Sequence, residues 1–132
     1  MYLADNTGEL FFDIPLLKRM RESARVIYVV KESPVQNDLT MEEIRQTGLE
    51  TEVGEVMTTG ADNPGVMWSD ASEVFKREFE SADLIFAKGM GFYEGLTELP
   101  PSGKVFHCLM AKCGAVSRSI DVPLGSYVAL MR

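Results

Sequence analysis

The apolar positions of this chain fall into short runs separated by polar corners. Met1-Tyr2-Leu3-Ala4 predicts a short buried strand that stops at Asp5-Asn6-Thr7-Gly8-Glu9. Leu10, Phe11, Ile14 and Leu17 then recur at helical spacing. Lys18, Arg19 and Arg21 come late, where cations suit a helix C-terminus, so the pattern predicts a helix over 9–22. Pro15 lies inside it and predicts a kink, or a later start with Asp13 as cap. Arg25-Val26-Ile27-Tyr28-Val29-Val30-Lys31 is apolar on both alternating faces, the signature of a parallel strand covered on both sides. Ser33-Pro34 breaks it. Thr40-x-x-Glu43 has capping-box spacing before a short helix, and Gly48 suits its left-handed stop.

A third strand is expected at 55–58, then a loop at 59–65 by composition. Ala71, Val74, Phe75 and Phe79 predict one face of a helix over 70–80, with Asp70-x-x-Glu73 as its cap. Asp83-Leu84-Ile85-Phe86-Ala87 predicts a fourth strand, closed by Lys88-Gly89-Met90-Gly91, with a short helix around 92–96 after it. Pro100-Pro101 cannot be helix interior. A fifth strand at 104–110 with its exit at Lys112, and a last strand at 127–131 on a sheet edge, complete the reading. Strand, loop and helix repeated with short links argue an α/β fold on a parallel sheet, with right-handed crossovers placing helices on both faces. The expected organisation is one domain over 1–132.

In such a sheet the carboxyl ends of the strands share one edge, and ligands bind there. Three successive strands end near an acid–amide pair: Asp5-Asn6, Asn37-Asp38 and Asp62-Asn63. The fourth ends at Lys88 and the fifth near Lys112. Each pair alone reads more readily as turn chemistry, because Asn and Asp side chains bond nearby backbone N–H groups, and Asp62-Asn63-Pro64-Gly65 is the most turn-like of the three. Together they make a set of hard oxygen ligands suited to Mg²⁺ or Mn²⁺, with a lysine to neutralise a transferred phosphoryl group. Gly89 and Gly91 would let the backbone approach a phosphate closely. His107, Cys108, Cys113 and Trp68 read as core: the single histidine sits in an apolar strand, and the cysteine spacing matches no zinc pattern.

Composition narrows the classes. The chain has 132 residues, 45% apolar and 25% charged, which fits one globular domain. A net charge of −7 argues against nucleic acid and against an anionic membrane surface. No apolar run reaches the length of a membrane span and no signal peptide is visible. Two cysteines are too few for a disulfide scaffold, so the expected compartment is a reducing cytoplasm. Strand-like sequence starting at residue 1 or 2 gives the chain the look of the later part of something longer.

Four stretches carry a family resemblance: Asp5 to Glu9, Lys31 to Thr40, Gly60 to Gly65, and Ala87 to Glu94. In this order, with Lys112-Cys113 after them, they resemble the damage-control phosphatases, a metal-dependent family once grouped with acidic-residue methyltransferases. The archaeal-type subfamily is the most similar. The resemblance implies a three-layer α/β/α domain with a mostly parallel, Rossmann-like sheet. It implies divalent-metal ligation by Asp5, Asn6 and Asp38, with Mg²⁺ or Mn²⁺ expected and Co²⁺ or Ni²⁺ as alternatives, and phosphate contact by Lys88. The substrates it implies are small phosphorylated metabolites. Asp62 or Glu9 is the candidate for proton transfer to or from water. The chain departs from the family in having Phe92 where an amide is usual and Met67 where an acid is frequent, and in lacking a helical segment ahead of the first motif. An exposed apolar face is therefore expected, with a second copy or a separate helical chain as partner. The alternative to an enzyme is a metal- or phosphate-binding module, or one subunit of a split phosphatase.

Overall fold

A computed structural model describes residues 1–132. The elements in order are β1 (Tyr2–Leu3), a 3₁₀ turn (Thr7–Glu9), α1 (Leu10–Arg21), β2 (Ile27–Val30), α2 (Met41–Thr47), α3 (Glu50–Val53) and β3 (Glu55–Thr58). They continue with α4 (Glu73–Ser81), β4 (Ile85–Lys88), α5 (Met90–Leu96), β5 (Val105–Met110), α6 (Gly114–Ile120) and β6 (Tyr127–Met131). The six strands form one sheet in the order β3-β2-β1-β4-β5-β6. All neighbours are parallel except β5 and β6.

Alternation along the strands builds the layers. Tyr2, Tyr28 and Val30 point to one face, where Leu10 and Leu17 of α1, Ile44 of α2 and Val53 of α3 meet them. Leu3, Ile27 and Val29 point to the other, against Phe75 and Phe79 of α4 and Phe92 and Leu96 of α5. Both faces of the central strands are thus dry, which is why β2 reads as a continuous apolar run. Full burial of a side chain such as Phe75 is worth about 1.5–3 kcal/mol. Trp68 stacks edge-on against Phe79, with ring centroids 5.1 Å apart, and is part of this core as expected.

Local signals behave largely as read. Thr40 and Glu43 form the capping box, and Gly48 ends α2 with φ +68°. Helix α4 starts later than the periodicity suggests, because Ser72 caps it by accepting from the Phe75 amide at 3.1 Å; Asp70 is instead bonded to Asn63 and Ser69. Val74 lies on the exposed side of α4, not on its buried face. Helix α1 begins at Leu10 and runs through Pro15, so Asp13 is no cap: it lies one turn inside the helix and is buried. Cys113 is half-buried against the small cluster of Tyr93, Leu109, Ala111 and Val116, as expected, and its Sγ also caps α6 by accepting from the Val116 amide. His107 is 1% exposed and edge-on to Tyr93, and burial pushes its pKa down to about 4, so it is a neutral core residue.

Exposed apolar side chains gather on α1 and on β6, with Met67, Val74, Leu84 and Leu124 exposed elsewhere. Phe11, Phe12 and Leu16 on the outer side of α1 are exposed, Phe12 to 82%, and Tyr127 and Met131 stand out from β6. No helix is long and apolar enough to cross a membrane.

Candidate functional site

The carboxyl ends of β1 and β2 are joined by main chain. Asn6 and Asp38 form an antiparallel bridge, and Lys31 and Thr40 a parallel one. The Leu39 amide donates to the Asp5 carbonyl and the Thr7 amide to the Asn37 carbonyl, both at 2.9 Å. This backbone clasp brings the first two acid–amide pairs to one corner. Gly89, at the end of β4, lies directly under the Asp5 carboxylate: a Cβ there would overlap its three terminal atoms, and the residue has φ +83°. Only glycine lets β4 pass so close to Asp5.

The side chains at the corner are strongly coupled. Asn6 Nδ2 donates to Asp5 Oδ2 at 3.0 Å and to Glu9 Oε1 at 2.7 Å, and Asn6 Oδ1 accepts from Asn37 Nδ2 at 2.6 Å. Burial, with the carboxylates of Glu9 and Asp38 nearby, raises the Asp5 pKa to about 6 against the opposing pull of Lys112 and Lys88. Asp38 is also raised by burial, held back by Lys31 at 3.7 Å. Burial of Glu9 is outweighed by its bonds from Lys88 and Asn6, and its pKa falls.

Lys88 reaches back over the sheet to two carboxylates of α1 and its leading turn. Its Nζ donates to Asp13 Oδ1 at 2.7 Å and pairs with Glu9 Oε2. Burial would lower its pKa, but these two partners outweigh it and the pKa is raised, so Lys88 is a fixed cation at neutral pH. Asp13 also accepts from the Tyr2 hydroxyl at 2.7 Å and the Tyr28 hydroxyl at 2.8 Å.

A cleft of about 630 Å³ opens beside this corner, with Asp5, Glu9, Lys88 and Lys112 at its charged end. Cys108, Met110, Tyr127 and Ala129 of β5 and β6 form its apolar wall, so Cys108 is cleft wall rather than core. A second cavity, of about 330 Å³, lies at the opposite edge of the sheet between Met20, Arg25 and Glu78, away from these groups.

Asp5, Asn6, Glu9, Asp38 and Lys88 therefore meet. Asp62 stands apart: it is exposed, its carboxylate accepts from Ser33 Oγ at 2.8 Å, and it does not line the cleft. Asn63 turns to its own loop, with Oδ1 accepting from the Met67 amide at 3.0 Å. Two buried charges escaped sequence reasoning. Lys31, 1% exposed, donates to the Asn63 and Gly65 carbonyls and lies 4.4 Å from the Phe92 ring centre. Burial lowers its pKa to about 8. The signal for Lys31 is its place directly after an all-apolar strand. For Asp13 the signal is its position on the stripe Leu10, Asp13, Leu17, where a carboxylate has to find buried donors.

A hard divalent cation suits the donors present. No three His, Cys, Asp or Glu side chains gather into an ion-holding cluster. The set is instead the carboxylates of Asp5 and Asp38, hard oxygens of the kind Mg²⁺ or Mn²⁺ takes with its remaining positions left to water and phosphate; the Asn6 amide oxygen already accepts from Asn37 and would have to share that bond to join them. The carboxylates crowding Asp5 leave an excess of negative charge that a cation would relieve. The effect on stability is testable without metal. Asp5 binds its proton more tightly folded than unfolded, so its contribution to stability falls as pH rises from about 4 through about 6. Asp5→Asn is expected to be more stable than the unsubstituted chain by about 1 kcal/mol at pH 7 in a chelator, after discounting for partial exposure, and to lose that advantage at pH 4. Urea unfolding of both proteins at the two pH values checks this.

Residues 1–128 match the family model of the damage-control phosphatase ARMT1-like domain. The chain is 41% identical to the damage-control phosphatase PH1575 of Pyrococcus horikoshii over 98% of its own length and 45% of that protein. It is 36% identical to a damage-control phosphatase of Archaeoglobus fulgidus over 98% of itself and 45% of the relative. The crystal structure of the Pyrococcus horikoshii protein, a DUF89 family member, superposes with a TM-score of 0.90 at 39% identity, covering 98% of this chain and 46% of that one. The chain thus spans a little under half the length of the relatives it matches. With the motif residues gathered at one sheet corner and this agreement along the chain, the protein belongs to the damage-control phosphatase family, ARMT1-like domain.

Proposed function

We propose that the chain hydrolyses phosphate monoesters of small metabolites with the help of a divalent cation held by Asp5, Asn6 and Asp38. The observation that carries the reading is the main-chain clasp that holds Asp5-Asn6 against Asp38-Leu39 at one corner, where Asp5 opens onto a cleft with two lysines at its charged end while Asn6 and Asp38 sit behind its lining. When bound, the metal would polarise the phosphoryl oxygen and acidify a water. The chain's own groups would do the rest. Lys88, kept cationic by Asp13 and Glu9, would neutralise charge developing on the phosphoryl oxygens, and Lys112 would draw the anion into the cleft. Asn6 would orient the Asp5 and Glu9 carboxylates through its amide hydrogens. Of the two candidates for proton transfer, Glu9 lines the cleft, whereas Asp62 would need its loop to move. The reading places the protein in the cytoplasm, where such metabolites occur.

Purified chain given Mn²⁺, Co²⁺ or Mg²⁺ is expected to release phosphate from p-nitrophenyl phosphate and from members of a sugar-phosphate panel, and to stop in excess chelator. No metal-dependent release with any of these ions would overturn the reading.

A second reading has its own support. Phe11, Phe12 and Leu16 form an exposed apolar strip on α1, the helix that carries Asp13. Strips of this kind usually find partners. On this reading the chain is a metal- or phosphate-binding module, or one subunit of a split phosphatase that pairs with itself or with a helical chain. Release of phosphate only after a helical partner is added would favour it over the first.

A further inference from the structure

Asp13 is the one carboxylate among the buried residues, and the proposed reaction has so far used it only as a charge partner of Lys88. Helix α1 carries it on the same stripe as Leu10 and Leu17, so the helix aims it at the sheet. Tyr2 of β1 and Tyr28 of β2 donate to its two oxygens at 2.7 and 2.8 Å. The two tyrosine rings are themselves packed, with centroids 5.4 Å apart, and both residues are fully buried. Two neighbouring strands therefore pin the carboxylate from below. Lys88, on β4, is its third donor. Every group facing Asp13 in this cluster is a donor, so both carboxylate oxygens are engaged.

Glu9 also touches Lys88, but the two carboxylates are not equivalent. The Glu9 side chain is 36% exposed at the cleft and Asp13 only 5%. A lysine has four rotatable side-chain bonds and about 2 kcal/mol of rotamer entropy to lose. Charge stabilisation of a reacting group works best when the cation is already in place.

We propose that Asp13 is the positioning residue for Lys88, holding its ammonium at the charged end of the cleft, with Tyr2 and Tyr28 as the fixed mount for the Asp13 carboxylate. What the ammonium then does to a phosphate rests on the phosphatase reading; the clamp itself does not.

The test uses Asp13→Asn, with Tyr28→Phe as a second variant that keeps the charge and removes one mount. The first readout needs no turnover. Lys88 is acylated with an amine-reactive succinimidyl ester at fixed pH and followed by peptide mass spectrometry, normalised to Lys18. Labelling is expected to rise roughly tenfold in Asp13→Asn, because loss of the carboxylate frees the ammonium and weakens its hold on the proton. It is expected to rise by a smaller factor in Tyr28→Phe. Should Asp13→Asn fail to fold, the rise in Tyr28→Phe decides. Labelling unchanged from the parent chain overturns the inference.

The second readout is phosphate release. Asp13→Asn is expected to lower kcat about 10–100-fold with KM little changed, and to have no further effect in a Lys88→Ala background, the non-additivity of residues that act as a unit. Equal losses in both backgrounds would make Asp13 purely structural and overturn the inference. No release by the parent chain would remove the phosphatase reading alone and leave the labelling result to decide the clamp.

Discussion

Asp38→Ala is expected to lose divalent-cation binding and phosphate release together, each by at least about 100-fold, the scale on which loss of metal-site support is felt. Asp38 supplies one of the two carboxylates in the candidate set, and the next acid at the corner, Glu9, is already engaged by Asn6 and Lys88. The fold should survive. Lys31 would lose its carboxylate 3.7 Å away but keep the Asn63 and Gly65 carbonyls and the Phe92 ring. Main-chain bonds at the corner do not involve the Asp38 side chain. Asp5, relieved of one neighbouring charge, would move back toward an ordinary carboxylate pKa. Mn²⁺ titration by calorimetry, phosphate release and a thermal melt on the same preparation check all three points. Metal-dependent turnover within tenfold of the parent would remove Asp38 from the site.

The second large effect is expected at Lys88, with the opposite pattern. Lys88→Ala should leave cation binding in place while turnover falls roughly 100- to 1,000-fold, the usual cost of removing a preorganised group that meets developing charge. It should also be the less stable of the two variants. Its loss strands the Asp13 carboxylate in the core with two tyrosine hydroxyls and no cation, and breaking a buried ion pair in this way costs about 3–5 kcal/mol. Rates are therefore compared below the melting temperature of the variant. Cation affinity and turnover falling in parallel would show that Lys88 supports the metal corner rather than the phosphoryl group.

Elements written in local chemistry were legible in the amino-acid sequence. The Thr40 capping box, the Gly48 stop and the apolar run of β2 each need only neighbours within a few residues to define them. The meeting of Asp5 with Asp38 was legible as well, because parallel strands send their carboxyl ends to one edge. What escaped depends on partners far away in the chain. Asp13 looked like a cap beside Pro15, and nothing local announces that Tyr2, Tyr28 and Lys88 converge on it. Helix α6 went unread because its opening cap is the sulfur of Cys113, a weak acceptor with no place in capping patterns. Asp62-Asn63 is the most turn-like of the three strand-end pairs by sequence, and its loop does leave Asp62 exposed with Ser33 as partner. Val74 fits the apolar stripe of α4 by spacing, and only the pose of the helix leaves it 53% exposed.

The clasp between Asn6 and Asp38 is made of peptide groups, and so is the bond that ties Leu39 to Asp5. The main chain that presents Asp5 and Asp38 is thus held together without their carboxylates. Variants stripped of their acids should keep the parent shape, which suits them to co-crystallisation with an intact phosphate ester as a direct test of the proposed site.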